Sequence, residues 1–208
     1  MADPAIGALA EFIEALQAVL KEIDRSNFEL AWSKRSARTD FYANNVVKGI
    51  GNRLGLKLWK EFLSVDYVLF SEEAKRFRFF IESENDYWRV DKKKEELMKL
   101  CACRGDVAVL MTVVEWDESG PPGWKSQRHK CLPEWRLCVA DHSGAIDSPM
   151  PVVVLVGELQ GRRLRFYLES LTGPHADPLL DRAEQHVVYQ RILGVDGAAY
   201  ERGGPPNA

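Results

Sequence analysis

The sequence contains no run of eighteen consecutive apolar residues, so it offers no candidate for a membrane-spanning helix and no membrane partner is expected. Cysteine is scarce: four thiols, Cys101, Cys103, Cys131 and Cys138, in 208 residues are too few for a disulfide framework. Reduced thiols in a cytoplasmic protein are therefore expected. A positive excess is missing as well, since 28 Lys and Arg face 31 Asp and Glu for a net charge of −3. That balance excludes a surface that attracts nucleic acid everywhere, while leaving room for local basic patches. The first twenty residues carry Asp3, Glu11 and Glu14 in place of the basic-then-apolar order of a secretory leader, so none is expected. There is no glycine-rich phosphate loop, Gly-x-Ser-x-Gly elbow or His-Glu-x-x-His pair, and no internal repeat.

What is present is the composition of a folded domain, 46% hydrophobic and 28% charged. One domain over residues 1–195 is expected, with the Gly-, Pro- and Ala-rich residues 196–208 as a disordered tail. Asp3 and Pro4 start a helix in which Ile6, Leu9, Phe12, Ile13, Leu16, Val19, Leu20 and Ile23 recur at helical spacing. Thr39 and Asp40 cap a second, through Val46, Val47, Ile50 and Leu54 to Gly55, with Gly49 and Gly51 permitting close packing. Residues 65–70 and 76–84 read as strands joined by a short polar turn, hence an antiparallel hairpin. Asp91 opens a helix ending near Gly105, and 106–114 is a near-continuous apolar strand. Residues 117–133 read as a long loop and 133–139 as a short helix. A second hairpin pairs 152–156 with 164–168 around Gln160 and Gly161. A last helix runs from the Asp177-Pro178 cap through Leu180, Ala183, Val187, Val188 and Ile192 to Gly194. The expected class is α/β, a mixed central sheet flanked by helices, with a C-terminal hairpin and helix.

Side chains alternate along a strand, so Glu82 and Glu84 share one face with Phe80 behind them. In the hairpin, Asp66 falls opposite the end that carries the two glutamates, which gathers three carboxylates at one edge of the sheet. Oxygen donors of this kind suit a hard divalent cation, which polarises a phosphodiester and activates water. The bland alternative is a solvated strand face. Against it, Asp66 interrupts an apolar strand, where an unpaired charge is costly.

The order of helix, Asp-bearing strand, Glu-x-Glu strand, helix and apolar strand over residues 40–115 resembles the core of the PD-(D/E)XK nuclease superfamily, the restriction-endonuclease-like fold. The stretches carrying the resemblance are Val65-Asp66-Tyr67-Val68-Leu69-Phe70, Phe80-Ile81-Glu82-Ser83-Glu84-Asn85-Asp86 and Glu95-Glu96-Leu97-Met98-Lys99-Leu100. The resemblance implies Asp66 and Glu82 as ligands of Mg2+ or Mn2+, and hydrolysis of phosphodiester bonds in DNA. Glu84 stands where the family places a lysine, as in its Glu-x-Glu variants. A lysine displaced to the following helix points to Lys99, although Glu95 four residues earlier makes a helical ion pair the preferred reading. The catalytic set implied is thus Asp66, Glu82, Glu84 and Lys99, with Asp66, Glu82 and Glu84 on the metal. The alternative is an inactive member of the fold that binds nucleic acid or protein.

Nucleic acid, DNA first, is the expected partner, with a second copy of the chain as a further candidate. Basic residues cluster at Lys34-Arg35-Arg38, Lys92-Lys93-Lys94, Lys125-Arg128-Lys130 and Arg162-Arg163-Arg165, with Trp32, Trp88, Trp124 and Trp135 nearby. Cations interleaved with aromatics suit phosphate contact and base stacking. For each cluster but Lys92–Lys94, a charged surface over core tryptophans is the simpler reading. His129, Cys131, Cys138 and His142 match the usual zinc spacings poorly.

Overall fold

Parallel strands must be covered on both faces, and the central strands of this chain are apolar on both. In the computed structural model, which describes residues 4–86, 90–119, 125–143, 150–172 and 187–194, β4 (Val107–Val114) is buried at every position. β5 (Val152–Gln160) is buried from Val152 through Glu158. They lie at the centre of a seven-stranded sheet whose spatial order follows the sequence. β1 (Lys57–Phe62), β2 (Val65–Ser71) and β3 (Arg76–Glu84) form an antiparallel meander. β3, β4 and β5 run parallel. β6 (Arg163–Ser170) and β7 (Val187–Ile192) return antiparallel.

Strand alternation divides the core in two. Phe79, Ile81, Val109, Met111, Val153 and Leu155 pack beneath α1 (Pro4–Glu22), α2 (Arg25–Ala31) and the helical run that follows. Phe80, Ala108, Leu110, Val152 and Val154 pack on the other face, beneath α5 (Val90–Ala102) and α6 (Arg128–Ser143). The chain is therefore α/β, with a mixed sheet flanked by helices.

The second helix begins earlier than its Thr39-Asp40 cap suggested. It runs as α3 (Arg35–Asp40), a π-helical segment (Phe41–Val47) and α4 (Lys48–Arg53) without interruption. It ends at Gly55, whose φ of +62° is the left-handed conformation glycine adopts without a steric penalty. Gly49 does permit the close approach expected of it, since an added Cβ there would stand 2.9 Å from the Val19 side chain.

Two expectations are corrected. α6 spans sixteen residues where a short helix from Pro133 was expected. Proline removes the partner of the carbonyl four residues back but does not stop the helix, because Leu132, Trp135 and Val139 are seated on the sheet. Val187, Val188 and Ile192 lie in a strand and not in a last helix. The open edge of β6 supplies a hydrogen-bonding partner, and these β-branched residues suit a pleated surface. The cap at Asp177-Pro178, with Leu180 and Ala183, lies outside the described residues, as do the expected tail and Asp3.

Gly157 of β5 faces the fully buried Trp32 ring, and a Cβ there would lie 2.7 Å from it. Trp32 is held edge-on by Phe41 and Phe166 at 5.8 and 5.4 Å, so it has little room to retreat. Gly157→Ala is expected to cost about 1–3 kcal/mol in urea unfolding. A variant as stable as the parent would show that the aromatic cluster yields.

Candidate active site

The hairpin register brings the acids into place. Tyr67 pairs with Ile81, so Asp66 reaches the level of Glu82 and Ser83 on β3. Its Oδ2 accepts a hydrogen bond from the Ser83 backbone N–H at 2.9 Å. Glu82 and Glu84 project to the α5 side of the sheet, and both are almost fully buried. Two carboxylates beneath a helix require compensating charge, which α5 supplies.

Compensation is divided between the two glutamates. The Lys99 ammonium lies 2.7 Å from Glu82 Oε1, also contacts the buried Glu96 carboxylate, and donates to the Ser64 carbonyl at 3.1 Å. Glu84 belongs to a different group of charges. Lys92 approaches its Oε2 at 3.1 Å and Arg35 its Oε1 at 3.4 Å, while the Asp86 backbone N–H donates to it at 2.9 Å. Arg35 continues to the Asp86 carboxylate at 2.9 Å, and the buried Arg38 donates to the Asn85 carbonyl at 3.3 Å. The N-terminal end of the second helical run is thereby tied to the segment leaving β3.

The structure thus brings Asp66, Glu82 and Lys99 together and directs Glu84 elsewhere. Glu96 completes the first group. Sequence reasoning missed it, although helical spacing puts Glu96 beside Leu97 and Leu100 on the inward face of α5. Lys99 pairs with Glu96, three residues back, and not with the exposed Glu95. Burial pushes the Glu82 carboxyl up to about 8, with Asp66 and Glu96 adding repulsion against the pull of Lys99. Burial opposes the charge on Lys99, but the carboxylates of Glu82 and Glu96 outweigh it and raise its pKa.

Several expected surface residues are internal. Trp32 and Trp135 are core side chains and offer no stacking face, while Trp88 and Trp124 lie outside the described residues. Of the Lys92–Lys94 run, Lys93 is 1% exposed and donates to the Val113 carbonyl at 3.0 Å, so this run is not a surface patch. Lys94 pairs with Glu134 at 2.7 Å. Arg128 is buried in an ion pair with Glu169 and lies 4.1 Å from the centre of the Tyr167 ring. Glu158, also buried, accepts hydrogen bonds from Ser126 and, at 3.2 Å, from Tyr167. This second polar network holds α6 and Ser126, just before it, against β5 and β6.

Among the described residues, no three or more His, Cys, Asp or Glu side chains form a group arranged to hold a metal ion. That covers both the acids above and the set His129, Cys131, Cys138 and His142. No helix among them is long and apolar enough to cross a membrane. No protein-family model matches the chain, and neither a curated protein nor a solved structure matches it.

Lys93 makes the site region pH-sensitive. Burial lowers its pKa to about 8, against the attraction of Cys131, Glu84 and Asp86. The folded state therefore loses this proton before the unfolded state does, and the contribution of Lys93 to stability rises with pH between about 8 and 10.5. The stability difference between the parent and Lys93→Met is expected to shift in the parent's favour by about 3 kcal/mol across that window. Urea unfolding at a series of pH values measures it, and a constant difference would refute the assignment.

Proposed function

We propose that the chain is a divalent-metal-dependent nuclease of restriction-endonuclease-like fold, hydrolysing phosphodiester bonds in DNA. The observation that carries this reading is Asp66 on β2 reaching the level of the buried Glu82 on β3 within an antiparallel hairpin that continues through a helix into a parallel strand. The same order of elements carries the resemblance in the sequence.

The residues fit Mg2+ or Mn2+ in donor chemistry. Both ions favour oxygen, and Mg2+ is commonly held by one or two carboxylates, with water and substrate phosphate completing its shell. Asp66 and Glu82 would hold it. Asp66 gives one oxygen to the Ser83 N–H, and its other oxygen accepts no hydrogen bond among the described residues. Glu82 Oε1 is buried and faces charge without an aligned hydrogen bond. When bound, the cation supplies Lewis-acid polarisation of the phosphodiester and a lowered pKa for water. Around the acids, the half-exposed cations Arg35, Lys92 and Lys99 offer positive charge to a polyanion. Their engagement with Glu82 and Glu84 keeps that charge local, in accord with a net charge of −3.

A second reading, a non-catalytic member of this fold that binds nucleic acid or protein, is favoured by one observation. Glu84, at the position of the family's lysine, is neutralised by Arg35 and Lys92, and so adds no free cation.

The test is cleavage of plasmid and single-stranded DNA with Mg2+ or Mn2+, using the parent protein beside Asp66→Asn and Glu82→Gln. Parent activity that is abolished by EDTA and falls at least about a hundredfold in either variant supports the nuclease. DNA binding without cleavage in any divalent metal supports the second reading. An outcome of neither binding nor cleavage removes the nuclease and the DNA-binding form of the second reading, and leaves only its protein-binding form.

A further inference from the structure

We propose that Leu63, at the tip of the β1–β2 hairpin, is an apolar wedge that parts a base step of duplex DNA and so presents an unstacked strand to Asp66 and Glu82. The inference rests on the nuclease reading above and adds to it the residue that opens the substrate.

The turn is unusual in both conformation and exposure. Phe62 pairs with Val65, so Leu63 and Ser64 alone connect β1 to β2. Two-residue hairpin turns call for left-handed backbone, which asparagine and glycine supply at least cost. Here Leu63 and Ser64 take φ of 53° and 62°. A left-handed leucine is an outlier, because its Cβ crowds the following carbonyl. Leu63 is also 69% exposed, more than any other large hydrophobic side chain among the described residues. A lone exposed apolar residue on a helix, such as Leu137 of α6, is ordinary. One held in a costly conformation at a hairpin tip gives the fold neither burial nor a relaxed turn. Strain of this kind clusters where a ligand is gripped or a reaction is run.

A single ammonium fixes the tip to the candidate site. Lys99 lies 2.7 Å from Glu82 Oε1 and donates to the Ser64 carbonyl at 3.1 Å. Asp66 follows Leu63 by three residues in the same hairpin. Phe62, next to the tip, meets Trp59 and Phe77 at 4.9 and 5.3 Å between ring centres, which braces the strand that leads into the turn. Leu63 is thereby a rigid projection tied to the carboxylates. Lys99 is 39% exposed and Lys60 of β1 is exposed, so cations flank the hairpin where phosphates would pass.

Such a projection has a defined use on a stacked polymer. Apolar side chains pushed between adjacent base pairs unstack them and kink the duplex. The work of opening is smallest where bases are already mismatched or unpaired. Leu63 is therefore expected to matter for a paired duplex and not for one already open.

Cleavage of a fully paired duplex and of the same duplex with two adjacent mismatches, by the full chain with MgCl2 or MnCl2, tests the inference. Leu63→Ala is expected to cut the paired duplex at least about tenfold more slowly than the parent and the mismatched one within about twofold of it, and Leu63→Met to restore the parent ratio. An Asn-Gly turn, made by Leu63→Asn with Ser64→Gly, is expected to raise Tm by about 2–4 °C and still show the selective loss, which separates the wedge from a structural role. With CaCl2 in place of the catalytic metal, 2-aminopurine within the paired duplex is expected to brighten on binding the parent and not on binding Leu63→Ala. Leu63→Ala cutting both duplexes at the parent rate, an equal fall on both, or a bound parent that leaves the probe dark overturns the inference while the nuclease reading stands. No cleavage of either duplex by the parent removes the nuclease reading, and the inference with it.

Discussion

Two glutamates on the inward face of a strand impose a requirement that much of this structure answers. Glu82 and Glu84 stand on the face of β3 covered by α5, where an uncompensated carboxylate is untenable. α5 is accordingly an unusual core helix. Its inward face carries Leu97 and Leu100, but also Lys93 and Glu96, with Lys92 and Lys99 at its margins. Arg35 and Arg38 arrive from the opposite side of the sheet to complete the charges at the end of β3. The position of α3, and with it the course of the π-helical segment, is thus linked to the same demand.

The polar interior is divided into separate compartments. Around Glu84 the carboxylate oxygens are shared by Arg35, Lys92 and the Asp86 N–H, although the neighbouring Asn85 Oδ1 has no hydrogen-bond partner among the described residues. Around Glu82 a single ammonium serves two carboxylates, Glu82 and Glu96, and burial holds the Glu82 carboxyl well above its ordinary range. A third compartment, Glu158 with Ser126 and Tyr167 beside the Arg128–Glu169 pair, anchors α6. Buried polar groups that are fully satisfied specify a fold, whereas those left short of partners are where ligands compete. The proposed chemistry would lie in the Glu82 compartment, where Glu82 is the carboxyl whose pKa is raised furthest by burial.

Local pattern and tertiary context made different contributions to what was legible. The periodic stripe from Ile6 to Ile23, the β2–β3 hairpin and the apolar run from Val107 to Val114 were readable because neighbours in sequence define them. The misread elements depend on distant partners. Val187 to Ile192 satisfies a helical spacing as well as a strand's, and only the free edge of β6 selects the strand. Pro133 is a breaker by propensity, and burial of the residues around it overrides that propensity.

The same division holds at the site. Asp66, Glu82 and Glu84 are chosen by the sequence alone, because alternation and a hairpin of known turn length determine which carboxylates share an edge. Under the resemblance drawn from the sequence, Glu84 stands in a lysine's place. Which acid Lys99 serves, that Glu96 joins Glu82, and that Glu84 is claimed by Arg35 across 49 residues are decisions of the tertiary fold. The physical reason is that strand geometry fixes a side chain's direction within two residues. The charge that compensates a buried carboxylate arrives from whichever helix packs over it, and packing is a property of the whole chain.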